Sequence, residues 1–267
     1  MLIWYDHKNS KYMRSLTKTM VWVTIFSIAM GFLETAVVVY LLELYCPDNV
    51  LFPLAQMSTT VIITELLREG ATIIMLIGIG YLAGRKFITG FAWFIYSFAI
   101  WDIFYYIFIK LILNWPESLF TWDILFLIPT IWTGPVIAPV ITSLMMILLA
   151  LGIIYYDGKI RPDGEVVKLN KPEWFFLILG SGILIVGFSW DYMMFMLEHF
   201  SFFELVSNTN KAEVIARSFR YIPRSFNLFI YILAQLIIAS GIGLFYIRNR
   251  KMEKIYRVSQ RLGTMRI

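Results

Sequence analysis

The sequence predicts an all-α integral membrane protein, a six-helix transmembrane bundle with both termini in the cytoplasm and an interfacial or re-entrant element between spans three and four. Three observations predict it. First, 59% of the 267 residues are hydrophobic and 15% charged, whereas soluble domains run at roughly one-quarter charged. Second, the apolar residues fall in uninterrupted blocks of about 20, the length that crosses a ~30 Å hydrocarbon core as a helix. In lipid each backbone polar group must find its partner within the segment, so spanning helices follow. Third, lysine and arginine alternate from one side to the other, block end by block end.

The spans are expected at 20–42, 59–83, 89–113, 134–156, 174–196 and 226–247. The first follows nineteen residues that include Lys8, Lys11, Arg14 and Lys18 and has no small-residue cleavage site after it, so it reads as a retained span and not as a signal peptide. Residues 115–133, WPESLFTWDILFLIPTIWT, hold an apolar core from Ile124 to Ile128 that is too short to cross and is closed by Pro129. This is the interfacial or re-entrant element, with Trp115, Trp122 and Trp132 at headgroup depth. The 198–224 loop is mixed in charge and expected to be helical around Lys211 to Phe219. Residues 248–267 form a basic tail suited to anionic lipid.

Orientation follows from the basic residues. Seventeen of the 23 lysines and arginines lie before the first span, in the loops at Arg85 and at 159–171, or in the tail; four lie in the 198–224 loop. Cytoplasmic flanks carry that excess. The net charge of +5 therefore belongs to a membrane surface and gives no support to nucleic-acid binding. A single cysteine, Cys46, and two histidines, His7 and His199, exclude an intrachain disulfide and multi-thiolate or multi-histidine metal centres.

The most informative feature is a layer of ionisable residues inside the spans: Glu34 in span one, Glu65, Arg68 and Glu69 in span two, Asp102 and Lys110 in span three, Asp191 in span five. Such residues are costly in lipid and mark a functional interior or an ion pair. At about 1.5 Å per residue the five carboxylates lie roughly 8 to 16 Å below the outer boundary. Helical spacing gathers them on faces. Thr24, Ser27, Gly31 and Glu34 form a small and polar stripe; Glu65, Arg68, Glu69 and Thr72 share a face, with Arg68 in reach of Glu65; Asp102, Tyr106 and Lys110 run up one side of span three. Five acids against two bases leave three carboxylates in need of a proton, a cation or a ligand. The plainer alternative is that Arg68 and Lys110 tie helices together through Glu65, Glu69 and Asp102.

Other signals are weaker. Trp101-Asp102, Trp122-Asp123 and Trp190-Asp191 place an indole beside a carboxylate, for hydrogen bonding, for a ligand wall or simply for the interfacial belt. Asp191, Met193, Met194, Met196, Glu198 and His199 lack the clustered spacing of a metal motif, and methionine at that density fills apolar space; no metal is expected. The glycines of Gly78-Ile79-Gly80 and Gly180-Ser181-Gly182 read as helix-packing positions. The chain carries no GxxxxGK[ST], HExxH or GxSxG motif, and nothing in it names a cofactor.

Three functions fit. The leading one is a proton- or cation-coupled translocator of a small solute or ion, with Glu34, Glu69 and Asp102 as coupling carboxylates and Arg68 or Lys110 as gating partners; the prolines at 135 and 139 suggest an interrupted start to span four. The second is a non-catalytic subunit of a larger complex, docking through its aromatic outer elements. The third is an enzyme acting on a lipid or lipid-linked substrate, with Lys110 and Arg68 clamping an anion. Expected partners are membrane lipid and either partner subunits or a second copy of the chain.

Overall fold

The computed structural model describes residues 2–46, 52–53, 55–159, 167–207 and 211–264. The chain is mostly helical, at 77%. In order it forms α1 (Leu2–Tyr45), α2 (Thr59–Ala83), α3 (Phe87–Leu113), β1 (Trp122–Phe126), β2 (Trp132–Pro135), α4 (Ile137–Lys159), α5 (Lys171–Leu197), α6 (Phe202–Ser207), α7 (Lys211–Ser218) and α8 (Leu228–Thr264).

Helix boundaries follow local chemistry. Ser58 accepts the Val61 N–H at the start of α2. The Glu173 carboxylate takes the Asn170 N–H, with Pro172 in the first turn of α5, where its missing N–H costs nothing. α3 stops where Asn114 turns left-handed, at φ 54°, a conformation asparagine tolerates better than most residues.

Packing divides the bundle into two linked halves. α3 is flanked by α1, α2 and α4; α8 packs along α5 and more lightly on α4. α1 and α2 both lie on α3 yet barely touch each other. Glycine sets two of the approaches: a Cβ on Gly80 would stand 2.7 Å from the Gly90 carbonyl, and one on Gly31 would stand 3.0 Å from that of Trp101. Of the two glycine pairs expected to pack, Gly80 and Gly180 meet a neighbouring helix, while Gly78 and Gly182 face open space. Of the stripe on α1, Thr24 and Gly31 meet α3, Thr24 bonding the Tyr96 hydroxyl at 2.9 Å, while Glu34 turns to Arg68 on α2; beside the stripe the Thr35 hydroxyl donates to the Tyr105 carbonyl at 3.2 Å. Outward faces carry large exposed apolar side chains along the helix lengths, among them Trp22, Leu67, Ile74, Phe229 and Leu236. In water that much apolar surface would drive association; against acyl chains it is the lipid-facing coat.

Five helical segments are long and apolar enough to cross a membrane: Leu16–Tyr45, Phe87–Leu113, Ile137–Asp157, Lys171–Leu197 and Leu228–Ile255. α2, which carries Glu65, Arg68 and Glu69 in its first half, is not among them.

Three expectations change in detail. The 115–133 element is an antiparallel hairpin: β1 pairs with β2, Asp123 opposite Gly134 and Ile124 opposite Thr133, with an irregularity before Phe126. Gly134 and Pro135 therefore belong to a strand, and α4 begins at Ile137. Pro139 falls in the first turn of α4, where no intrahelical N–H bond is lost, so it does not interrupt the helix. The tail is not separate either, since α8 runs unbroken to Thr264 and Arg248 on it pairs with the buried Glu173 at 2.7 Å.

Candidate functional site

The hairpin folds back over one end of the bundle, against α5. Trp132 stacks on Phe188 at 6.1 Å between ring centroids, and Trp122 meets Phe226 edge-on. These two indoles pack against α5 and the segment leading into α8. The hairpin thereby roofs a cavity of about 560 Å³ walled by the C-terminal half of α1, the first half of α2, the C-terminal half of α3, the hairpin, Tyr192 of α5 and the α7 region from Val214 to Phe219.

Six charged side chains line it: Glu34, Glu65, Arg68, Glu69, Asp102 and Asp123. Arg68 pairs with Glu34 across the α1–α2 gap and, through Nε at 2.8 Å, with Glu65 one turn back on its own helix. Glu69, 8% exposed, accepts the Leu127 N–H at 2.9 Å and so ties α2 to the hairpin. Asp102 accepts the Ser143 hydroxyl proton at 2.8 Å, tying α3 to α4. Asp123, 3% exposed, accepts from the Tyr106 hydroxyl at 2.9 Å and from the Ile124 N–H at 2.8 Å. Burial pushes the Asp123 carboxyl up to about 7, and the two hydrogen bonds, which pull the other way, do not offset it. Glu34, Glu65, Glu69 and Asp102 each keep one carboxylate oxygen with no hydrogen bond among the described residues. The Trp101 indole N–H, on a residue 7% exposed that also lines the cavity, has no acceptor among them. The indole of the Trp101-Asp102 pair thus does not bond its neighbour's carboxylate. Most of the remaining wall is apolar or aromatic, with Val38, Leu41, Leu42, Ile62 and Leu66 from α1 and α2 and Tyr105, Phe126 and Phe219 elsewhere, and Thr130 and Ser218 add hydroxyls.

Of the residues singled out in the sequence, Glu34, Glu65, Arg68, Glu69, Asp102 and Tyr106 come together here. Lys110 does not. Its ammonium donates to the carbonyls of Asn114 at 3.0 Å and Pro116 at 2.8 Å, closing the end of α3 away from Asp102, because a long side chain in the last turn of a helix is drawn to the unpaired carbonyls there. Asp191 stands apart too, accepting from the Tyr221 hydroxyl and the Arg224 and Ser225 amides, each at about 3 Å. It organises the segment that carries the cover: Tyr221 also bonds Thr133 of the hairpin, and Tyr192 bonds Ser218 at 2.7 Å. His199 and Glu198 are held by Arg217 and Arg224, and the Arg224 guanidinium keeps the Glu198 carboxyl below its ordinary range. Asp123 was missed by counting charges within spans, since it lies outside every apolar block; the Trp122-Asp123 dipeptide was its one signal.

Comparison with family models, curated proteins and solved structures finds no match. The fold and the composition themselves define the class: a polytopic α-helical membrane protein.

Proposed function

We propose that this protein is a proton- or cation-coupled translocator of a small solute or ion in the cell (cytoplasmic) membrane, with α2 as a sixth span and both termini in the cytoplasm. The observation that carries the reading is the excess of acid in the cavity: five carboxylates converge there and Arg68 is the one basic side chain among the described lining residues. Carboxylates in a low-dielectric enclosure take up a proton or a cation, which is what coupling requires. Glu69 and Asp102 are the coupling groups on this reading, each with an oxygen that no donor among the described residues occupies, and the Arg68 pairs with Glu34 and Glu65 are the gate between α1 and α2. At about 1.5 Å per residue α2 is roughly 37 Å long, enough to cross, and an even number of spans returns both basic termini to one side, as the distribution of lysine and arginine requires.

The lipid-enzyme reading loses support, since it needs a basic clamp for an anionic substrate. Arg68 is held by two carboxylates and Lys110 by two carbonyls outside the cavity.

The test is flux in vesicles reconstituted with the purified chain, with an imposed proton or sodium gradient. The parent should dissipate the gradient at least ten times faster than empty vesicles, and Asp102→Asn or Glu69→Gln should abolish the difference. Parent vesicles indistinguishable from empty ones, or variants as fast as the parent, would refute the proposal. A stoichiometric protein retained on gentle extraction, with no flux, would make the chain a subunit of a complex.

A further inference from the structure

We infer that the cavity binds an organic monocation, an ammonium-type head on an apolar body, in preference to a bare inorganic ion. The inference rests on the translocation reading for its location and goes beyond it in naming the ligand.

Size comes first. A water molecule takes up about 30 Å³, whereas the cavity measures about 560 Å³, inside the roughly 300–1,000 Å³ of pockets that enclose small organic molecules. A proton or a dehydrated metal ion needs no such room. The cavity is also two-sided in chemistry. Glu69 and Asp102 each carry a carboxylate oxygen with no donor among the described residues, and Val38, Leu42, Ile62 and Leu66 line the same cavity with hydrocarbon. The aromatic residues Trp101, Tyr105 and Tyr106 also line it. Ring faces attract an ammonium group within about 6 Å. An anion is excluded by the carboxylate excess, and a neutral apolar molecule would leave those carboxylates bare.

Such a cation has two sources, the aqueous phase or the bilayer itself through the thin α1–α2 contact, and the chemistry recognised is the same.

Tetraphenylphosphonium is the probe, measured by equilibrium dialysis against the purified full chain in a neutral maltoside detergent. Saturable binding near one per chain is expected, weakened at least tenfold in Asp102→Asn and in Glu69→Gln, with no saturable binding of tetraphenylborate, an anion of the same shape. The ion pair needs no variant, so a misfolded mutant cannot obscure the result. Equal binding of both ions, or binding that never saturates, would overturn the inference. Displacement of the phosphonium by tetraethylammonium marks a ligand from water and displacement by dodecylamine one from the bilayer; displacement by neither overturns it. Phosphonium binding without flux would leave this ligand in place and end the translocation reading. Proton or sodium flux that Asp102→Asn abolishes, with no phosphonium binding, would do the reverse.

Discussion

Arg68 reaches Glu34 on α1 and Glu65 on α2 at once, with 22% of its side chain exposed. Removing one partner of an enclosed ion pair leaves an uncompensated charge, at a cost of about 3–5 kcal/mol. Partial exposure puts Arg68→Ala near the low end, about 3 kcal/mol by that scale. Thermal unfolding in detergent should show the loss, and adding Glu34→Gln should restore part of it; a second substitution that only adds damage would show that the pair is not what holds α1 and α2 here. Asp123 gives a prediction in pH. Its folded-state pKa is raised to about 7, so between the ordinary aspartate range and neutrality the folded chain holds a proton that the unfolded chain has lost. Stability from this group is full at low pH and falls as pH rises to about 7, then levels. Asp123→Asn should flatten that decline in unfolding measured from pH 4 to 8, and an unchanged slope would sink the assignment.

At the scale of elements, α1 and α2 each pack along α3, with glycines setting close approaches, while the hairpin sits mainly on α5. Gly80 stands against Gly90 and Phe94 on α3, while Gly78, half a turn away, faces nothing. Gly80→Ala should therefore cost about 1–3 kcal/mol through overpacking, and Gly78→Ala should be neutral or gain up to about 1 kcal/mol from helix propensity. Detergent-denaturation midpoints compare the two; equal shifts would mean that α2 does not seat on α3 at this point. The cover over the cavity hangs on Asp191, which accepts from three residues between 221 and 225. Asp191→Ala should speed hydrogen exchange at the Arg224 and Ser225 amides by at least tenfold while leaving α3 and α8 protected. Unchanged exchange there would mean that the segment is held by Tyr221 packing alone.

For the whole molecule the outstanding variable is whether α2 crosses, which fixes the parity of the spans. In a Cys46→Ser background, cysteines introduced at Lys18 and Lys251 should both react with a membrane-impermeant maleimide from the cytoplasmic side, as six spans require. Labelling from opposite sides would mean five. The two-half packing, α1–α2–α3 on one flank and α5–α8 on the other with α4 between, leaves the α1–α2 seam as the thin wall of the cavity. Relative motion at that seam would open the site without disturbing the α5–α8 core.

Class and segment placement were legible in the sequence because they depend on local quantities. Hydropathy over about 20 residues decides whether a segment favours lipid; five of the six blocks overlap helices apolar enough to cross, while the 59–83 block matches the bounds of α2, which is not among those five. Spacing of three and four placed Arg68 beside Glu65, since helix geometry alone brings those positions together. What depends on chain reversal was not legible. The 115–133 element looked like a short apolar insertion; only its pairing with Thr133 and Gly134, and its seat on α5, made it a hairpin that brings Asp123 to Tyr106. Lys110 shares a helical face with Asp102, but its flexible side chain went to nearer unpaired carbonyls at the helix end. The sequence by itself determined a polytopic helical membrane protein with carboxylates spaced along its helices. Tertiary structure decided which of them share one cavity, because meeting across helices depends on packing and reversal, which no local pattern encodes.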